Sequence, residues 1–378
     1  MTKTKKLKLL IISDYFYPHW TGISKAMLYL VQSIDHVYDI TVLTTQFDKK
    51  LTQKQLFNKT TVIRCPAIFK ISRTHISFNL ILKFISLIQT QDVVFINSPC
   101  TYILILSLLT RFARKKLLVF HQGDLILPKG IKNKVIEKIF DISSLIGCLF
   151  AQKVSTYTED YAKHSRILSR FLYKFTPLLV PVTNLDVSQK TIPQLTTLRK
   201  KHTILLGFAG RFVEEKGFDL LFKAIPKVIK TLPNVHFVFA GETKMGYENF
   251  FDTQKLAYDK IKRHVSFLGL LDAKKMNYFF SHINLILLPS RSDCFPLVQV
   301  EAMLRHVPAV CADIPGARVA VQKTRFGLLH KKEDFHDLSE KIILAVEQLD
   351  YFAKYQSQVS RFFSYETITQ SITDYITN

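Results

Sequence analysis

The sequence predicts an α/β protein of two doubly wound domains facing each other across a cleft. Three observations carry this. At 378 residues the chain is long enough for two domains of ordinary size, each with a buried core. Short, near-continuous apolar runs alternate with longer helix-compatible segments, the pattern of a parallel sheet covered on both faces. The rhythm breaks once, over the polar, Pro193-containing stretch LDVSQKTIPQLTTLRKKH at 185–202, and then restarts.

In chain order the first half offers strands at 8–13 (KLLIIS), 39–45 (DITVLTT), 61–66 (TVIRCP), 92–98 (DVVFINS), 116–121 (KLLVFH), 153–158 (KVSTYT) and 177–182 (PLLVPV). Between them, 24–34 and 79–89 carry apolar residues at helical spacing. After the polar stretch come strands at 203–210 (TILLGFAG), 235–241 (VHFVFAG), 265–269 (VSFLG), 283–290 (INLILLPS), 307–313 (VPAVCAD) and 326–330 (FGLLH), with a helix at about 217–231. The expected domains are 1–190 and 200–360, and a last helix at about 363–378 could pack back on the first. No internal repeat or low-complexity tract is visible.

Composition narrows the class. Hydrophobic residues make up 48%, which excludes a disordered chain. Cys65, Cys100, Cys148, Cys294 and Cys311 form no C-x-x-C and no zinc spacing, and five scattered thiols suit a reducing compartment. The opening MTKTKKLKLLIISDYF has the charge order of a signal peptide. Its apolar run is too short for one, however, and no cleavage site follows, so a buried first strand accounts for it better. The apolar stretch at 102–110 falls far below the ~20 residues that span a bilayer, and a cytosolic protein is expected.

Net charge is +22 and uneven: residues 1–200 hold 29 Lys and Arg against 11 Asp and Glu, the remainder 23 against 19. Such excess favours phosphate-rich partners and anionic lipid surfaces, and it assigns them to the first half. A nucleic-acid partner is not expected, since no recognition helix, zinc spacing or aromatic RNA platform is present.

Two motifs carry chemistry. In FAGRFVEEKGFDLL (208–221) a strand ends at Gly210 and a helix begins near Gly217, with Arg211 and Lys216 between. Backbone N–H groups at a helix start attract anions, and a guanidinium and an ammonium beside them make a diphosphate clamp. The alternative is a loop whose cations pair with Glu214 and Glu215. In SRSDCFPLVQVEAM (290–303), Asp293 and Glu301 stand with seven residues between. Asp293 could simply cap a helix starting near Phe295, with Glu301 solvated behind it.

Taken together in order and spacing, GRFVEEKGFDLL, VSFLG and LLPSRSDCFPLVQVEAM resemble the family-4 retaining glycosyltransferases of the GT-B fold, and SDYFYPHWTGISKAMLYL resembles their first strand, glycine loop and helix. The resemblance covers nearly the whole chain and is strongest from 204 to 316. It implies a nucleoside-diphosphate sugar as donor substrate, with no cofactor and no metal; no Asp-x-Asp occurs. Arg211 and Lys216 would then stabilise the leaving diphosphate. Glu301 would accept from the ribose hydroxyls, while Asp293 and the Phe295–Pro296–Leu297 turn would hold the donor sugar. The first-loop Gly22, and Phe267 and Leu268 of VSFLG, would also line the donor. The resemblance further implies that His121, at a strand's carboxyl end, contacts the donor sugar; Asp124 would orient it or bind acceptor. Asp293 stands where the family has Glu, which leaves the donor sugar open, and Thr21-Gly22 stands where it has two glycines, which leaves the subtype open.

Basic clusters with apolar neighbours, at 110–116, 129–140 and 163–174, favour a lipid-linked saccharide or glycolipid acceptor at an anionic membrane surface. Arg111, Arg114, Lys115 and Lys116 are the expected membrane-facing set. A soluble acceptor and a related sugar-nucleotide epimerase remain the alternatives.

Overall fold

A computed structural model describes residues 6–71, 74–128, 130–183, 188–244 and 248–378. Residues 1–5, 129 and 185–187, on which parts of the amino-terminal reading, the second basic cluster and the polar stretch fall, lie outside the described residues. The chain divides into two compact units, Met1–Thr183 with Tyr365–Asn378, and Asn184–Ser364.

The first unit is built on an eight-stranded sheet. Its order is Phe175–Pro177, Lys153–Thr156, Lys116–His121, Val93–Ser98, Lys8–Ile12, Asp39–Gln46, Thr60–Pro66 and Lys54–Phe57. All neighbours run parallel except the last pair. The central strands Lys8–Ile12 and Val93–Ser98 are buried on both faces, which is why they read as unbroken apolar runs. Helices Phe78–Ile88, Ile103–Phe112 and Ile131–Phe150 pack into one core cluster through residues such as Leu80, Phe84, Ile103, Leu106 and Cys148. The final helix, Tyr365–Thr377, belongs to this unit. Tyr38 Oη donates to the Thr373 carbonyl at 3.1 Å, and Lys116 Nζ donates to the carbonyls of Ile376 and Thr377 at 2.9 and 3.1 Å.

The second unit has six parallel strands in the order Val265–Gly269, Val235–Ala240, Ile204–Ala209, Leu285–Leu288, Ala309–Ala312 and Gly327–His330. In each sheet the strand order reverses beside the unit's first strand. That reversal is a topological switch point, where loops diverge and leave room for a ligand at the strands' carboxyl ends.

Two expectations need correcting. The run at 177–182 is not a strand: Phe175–Pro177 ends where Pro177 has no N–H to donate, and Pro181 follows. The polar stretch is not all linker, since Pro193–Lys201 is a helix with Pro193 in its first turn, where a missing N–H costs nothing. An edge strand, Lys54–Phe57, and a hairpin of Phe69–Ile71 with Thr74–Ile76 went unanticipated. Among the described residues no helix is long and apolar enough to cross a membrane. All five cysteines are free thiols.

Candidate active site

In the second unit the switch point lies between Ile204–Ala209 and Leu285–Leu288, paired at Leu206 with Leu285 and Gly207 with Ile286. Leaving the first strand, the chain passes Gly210 and Arg211, makes a 3-10 turn at Glu214–Lys216, and enters helix Phe218–Thr231. Phe212 pins this loop. Its fully buried ring packs 5.1 to 5.8 Å from those of Phe208, Phe218, Phe239 and Phe267. Gly217 closes the turn at φ +66, and a Cβ there would run into the Pro289 carbonyl oxygen. The loops from the two strands therefore touch at a position only glycine fits.

Arg291 fastens them further. Its Nη1 and Nη2 donate to Asp219 Oδ1 and Oδ2 at 2.7 and 2.8 Å, and Nη1 also donates to the Glu214 carbonyl at 2.7 Å. Its Nε donates to Glu333 Oε1 at 2.8 Å, and its backbone N–H to the Glu215 carbonyl at 2.8 Å. This forked pairing raises the Arg291 pKa, chiefly through the Asp219 hydrogen bonds. Sequence reasoning missed it, because Arg291 and Asp219 lie 72 positions apart with no local signal joining them.

On this scaffold Lys216 Nζ donates to Asp293 Oδ2 at 2.6 Å. Glu215 Oε1 lies 3.8 Å from the same ammonium, and Glu215 Oε2 lies 3.9 Å from Arg211 Nη2. Burial pushes the Lys216 pKa down, but Asp293 and Glu215 outweigh it and raise it overall, so the ammonium stays charged. The two predicted motifs thus meet: the cation of one pairs with the first acid of the other.

Asp293 is not a helix cap. The helix runs Leu297–Met303 with Pro296 at its cap position and no side-chain cap, while Asp293 Oδ1 accepts from the Phe295 N–H at 3.3 Å. The later start puts Glu301 just over one turn inside the helix, and it is only 3% exposed, not solvated. A third loop closes on the same place: Gly316, at φ +85, sits where a Cβ would strike the Cys294 carbonyl oxygen. The Phe267 ring belongs to the aromatic group under the sheet, stacked on Phe239 at 5.4 Å, and Leu268 is half-buried beside it.

In the first unit, Gly22 opens helix Gly22–Ile34, capped by Thr21, whose Oγ1 accepts from Ser24 N–H at 3.3 Å. No atom would meet a Cβ at Gly22 within 4 Å. At this unit's switch point Asp14, which sequence reasoning passed over, accepts from Thr101 Oγ1 at 2.7 Å and joins the two loops; burial raises its pKa. His121 is 1% exposed. Its Nδ1 lies 3.0 Å from Ser98 Oγ and its Nε2 3.0 Å from Asp124 Oδ1, so both ring nitrogens have protein partners. Asp124 also accepts from Ser165 Oγ at 2.7 Å and from the Arg166 N–H at 2.8 Å. Burial pushes its pKa up, but His121, Ser165 and Arg166 outweigh it and hold the carboxyl below its ordinary value. Asp124 thus ties the His121 ring to the Ser165–Arg166 segment.

The membrane-facing set does not act as one. Arg111 and Arg114 are exposed, but Lys115 Nζ donates to the Gln89 carbonyl at 3.0 Å. Lys116 is a correction: its ammonium caps the carbonyls that end helix Tyr365–Thr377, where a cation opposes the negative end of the helix dipole. Among the described residues, no group of three or more His, Cys, Asp or Glu could hold a metal ion.

Residues 190–359 match the family described as "Glycosyl transferases group 1". An uncharacterised glycosyltransferase of Methanocaldococcus jannaschii is 30% identical over 138 residues, 36% of either chain. The D-inositol 3-phosphate glycosyltransferase of Rhodococcus erythropolis is 29% identical over 170 residues, 43% of this chain and 38% of that one. The chain therefore matches little more than a third of the length of these relatives. Over the whole fold, sucrose-phosphate synthase of Thermosynechococcus elongatus superposes with a TM-score of 0.78 at 15% identity, covering 98% of each chain. Anabaena HepE, solved with UDP and glucose, gives 0.77 at 16% identity over 98% of this chain and 99% of that one. The fold is GT-B, and the match to the group 1 glycosyltransferases lies within its second unit.

Proposed function

We propose that the protein is a retaining glycosyltransferase of the family-4 type. It moves a sugar from a nucleoside-diphosphate sugar to a lipid-linked saccharide or glycolipid at the cytoplasmic face of a membrane. The observation that carries this reading is the Lys216–Asp293 pair at the switch point of the group 1 domain. It sets a cation for phosphate beside an acid for sugar hydroxyls, with buried Glu301 in the next helix for the ribose. A neighbour of the same fold, HepE, was solved with UDP-glucose, which supports the donor class.

In the reaction the donor's C1–O bond breaks and its electrons pass to the diphosphate. Arg211 and Lys216 stabilise that charge as it develops. The acceptor oxygen bonds C1 from the same face and gives its proton to the departing phosphate oxygen. His121, with both ring nitrogens engaged, serves as a positioning group for the loop through Asp124.

Incubation with a panel of nucleotide sugars tests this, since slow donor hydrolysis needs no acceptor. One donor should release free sugar with the anomeric configuration retained, and Glu301→Gln should raise the dissociation constant for that donor. Release of an epimerised sugar would favour the epimerase, and binding of no member of the panel would end the reading.

A further inference from the structure

Helix Ile131–Phe150 has a reversed outer face. Ser144, Gly147 and Cys148 turn inward to the core. On the opposite side Ile131, Val135, Ile139, Ile142 and Leu149 are between 48% and 82% exposed. At about 100° per residue these five share roughly 80° of arc, a continuous apolar stripe where a surface helix normally carries charge. Isolated exposed apolar residues are ordinary; a stripe along five turns marks an interaction surface.

The stripe continues across the neighbouring helices. Phe78, Leu82 and Ile85, at spacing i, i+4, i+7 on Phe78–Ile88, are 47% to 65% exposed, and Phe112 ends Ile103–Phe112 at 82%. All three helices bury their inner sides in one core cluster, so their outer sides look out together.

Charge identifies the occupant. Lys132, Lys134 and Lys138 are exposed and flank the stripe on both sides; Lys83 and Arg111 are exposed on the adjoining helices, and Arg114 just past the end of the second. The two acids of the long helix are engaged elsewhere. Glu137 Oε1 accepts from the Leu127 N–H at 2.6 Å, and Asp141 pairs with Arg166 at 3.0 Å. A second copy of this face would set lysines against lysines. An anionic bilayer meets both requirements, taking apolar side chains at the headgroup boundary and lysines among the phosphates.

We propose that this three-helix layer is a docking surface for anionic membranes, with the Ile131–Leu149 stripe entering the headgroup boundary and Lys132, Lys134 and Lys138 holding it there. This rests on the glycosyltransferase reading only for its purpose, which is to bring the enzyme to a lipid-linked acceptor. The surface replaces the Arg111–Lys116 cluster as the membrane-facing element, keeping only Arg111 and Arg114 at its margin.

The test is sedimentation of the full chain with vesicles of phosphatidylcholine alone, or mixed with phosphatidylglycerol. Binding is expected to the mixed vesicles only and should weaken as salt rises. Replacing Lys132, Lys134 and Lys138 together by Ser should weaken it by about a hundredfold, taking roughly fivefold for each lysine. The exposed double variant Val135→Asp/Ile139→Asp should lose it too, with unchanged circular dichroism and unchanged nucleoside-diphosphate binding. Equal binding to both vesicle types overturns the proposal. So does a dimer in sedimentation velocity that the double variant abolishes. In either case nucleotide binding would still stand, whereas loss of nucleotide binding with vesicle binding intact would remove the enzyme and leave the surface.

Discussion

Lys216 and Asp293, carried by loops from the two strands that flank the second sheet's switch point, meet at 2.6 Å. Glu215 lies 3.8 Å from Lys216 and 3.9 Å from Arg211, so the pair ends a row in which Arg211, Glu215, Lys216 and Asp293 alternate in sign. On the proposed reading a diphosphate would compete here with two carboxylates for two cations, and the site's affinity for anions would be set by the acids as much as by the bases.

Replacing Lys216 by Ala removes the cation and leaves Asp293 facing the phosphate. Nucleoside diphosphate binding should fall by about ten- to a hundredfold, the worth of a charge-assisted contact, while binding of the nucleoside stays unchanged. Arg211→Ala should behave alike. Isothermal calorimetry with both ligands decides it, and equal losses for the two would place these cations outside the phosphate site.

Asp293→Asn should separate binding from turnover. Without its carboxylate partner Lys216 is freer to meet phosphate, so nucleoside diphosphate should bind as tightly as before or more tightly. Donor turnover should fall, because the sugar loses its charged acceptor. Weaker binding of the nucleotide would show that Asp293 acts by shaping the loop.

The Arg291–Asp219 pair is a bracket between the two loops. Asp219 is 4% exposed, and removing its forked partner strands a buried carboxylate. Arg291→Ala should therefore cost about 3–5 kcal/mol in urea unfolding of the chain. A loss within the range of a surface pair, below about 1 kcal/mol, would contradict this.

These residues mark where sequence reading stopped. Strands such as Lys8–Ile12 and Leu285–Leu288 were legible because burial on both faces writes an unbroken apolar run. Lys54–Phe57 was not: it lies at the sheet's edge with three exposed residues, and its pattern matches a loop's. Arg211, Lys216, Asp293 and Glu301 were legible as types at fixed spacing, yet their pairing was not. Lys216 and Asp293 are 77 positions apart, and Lys116 and Ile376 are 260 apart. Nothing local distinguishes a lysine that pairs with Asp293 at the switch point from one that caps a distant helix.

That difference can be measured at Lys116. Lys116→Met removes the cap from helix Tyr365–Thr377 while keeping the aliphatic stem. Amide exchange in 365–377 should accelerate, and the midpoint of thermal unfolding should drop. Arg111→Ser with Arg114→Ser should leave both unchanged, since those side chains are exposed. Unchanged exchange in the Lys116 variant would return it to the surface set.

The last prediction concerns acid. His202, His236 and His264 stand at the amino ends of three adjacent strands of the second sheet, opposite the end that carries Lys216. His236 is 4% exposed, its Nε2 lies 2.9 Å from Ser266 Oγ, and its ring stacks on His202 at 4.7 Å. Burial, with smaller contributions from His202 and His264, lowers its pKa from 6.5 to about 4. The unfolded chain therefore takes up this proton at a higher pH than the folded one does. Stability from the neutral ring is complete above about 6.5, and it is lost as pH falls through the window down to about 4. Unfolding midpoints across that window should fall steadily in the parent chain, and the fall should be shallower in His236→Phe, which keeps a ring for the stack but cannot take up the proton. Identical pH slopes in the two proteins would assign the acid sensitivity to groups elsewhere, carboxylates or other histidines whose pKa burial lowers, such as His19, since only His236 titrates in one chain and not in the other.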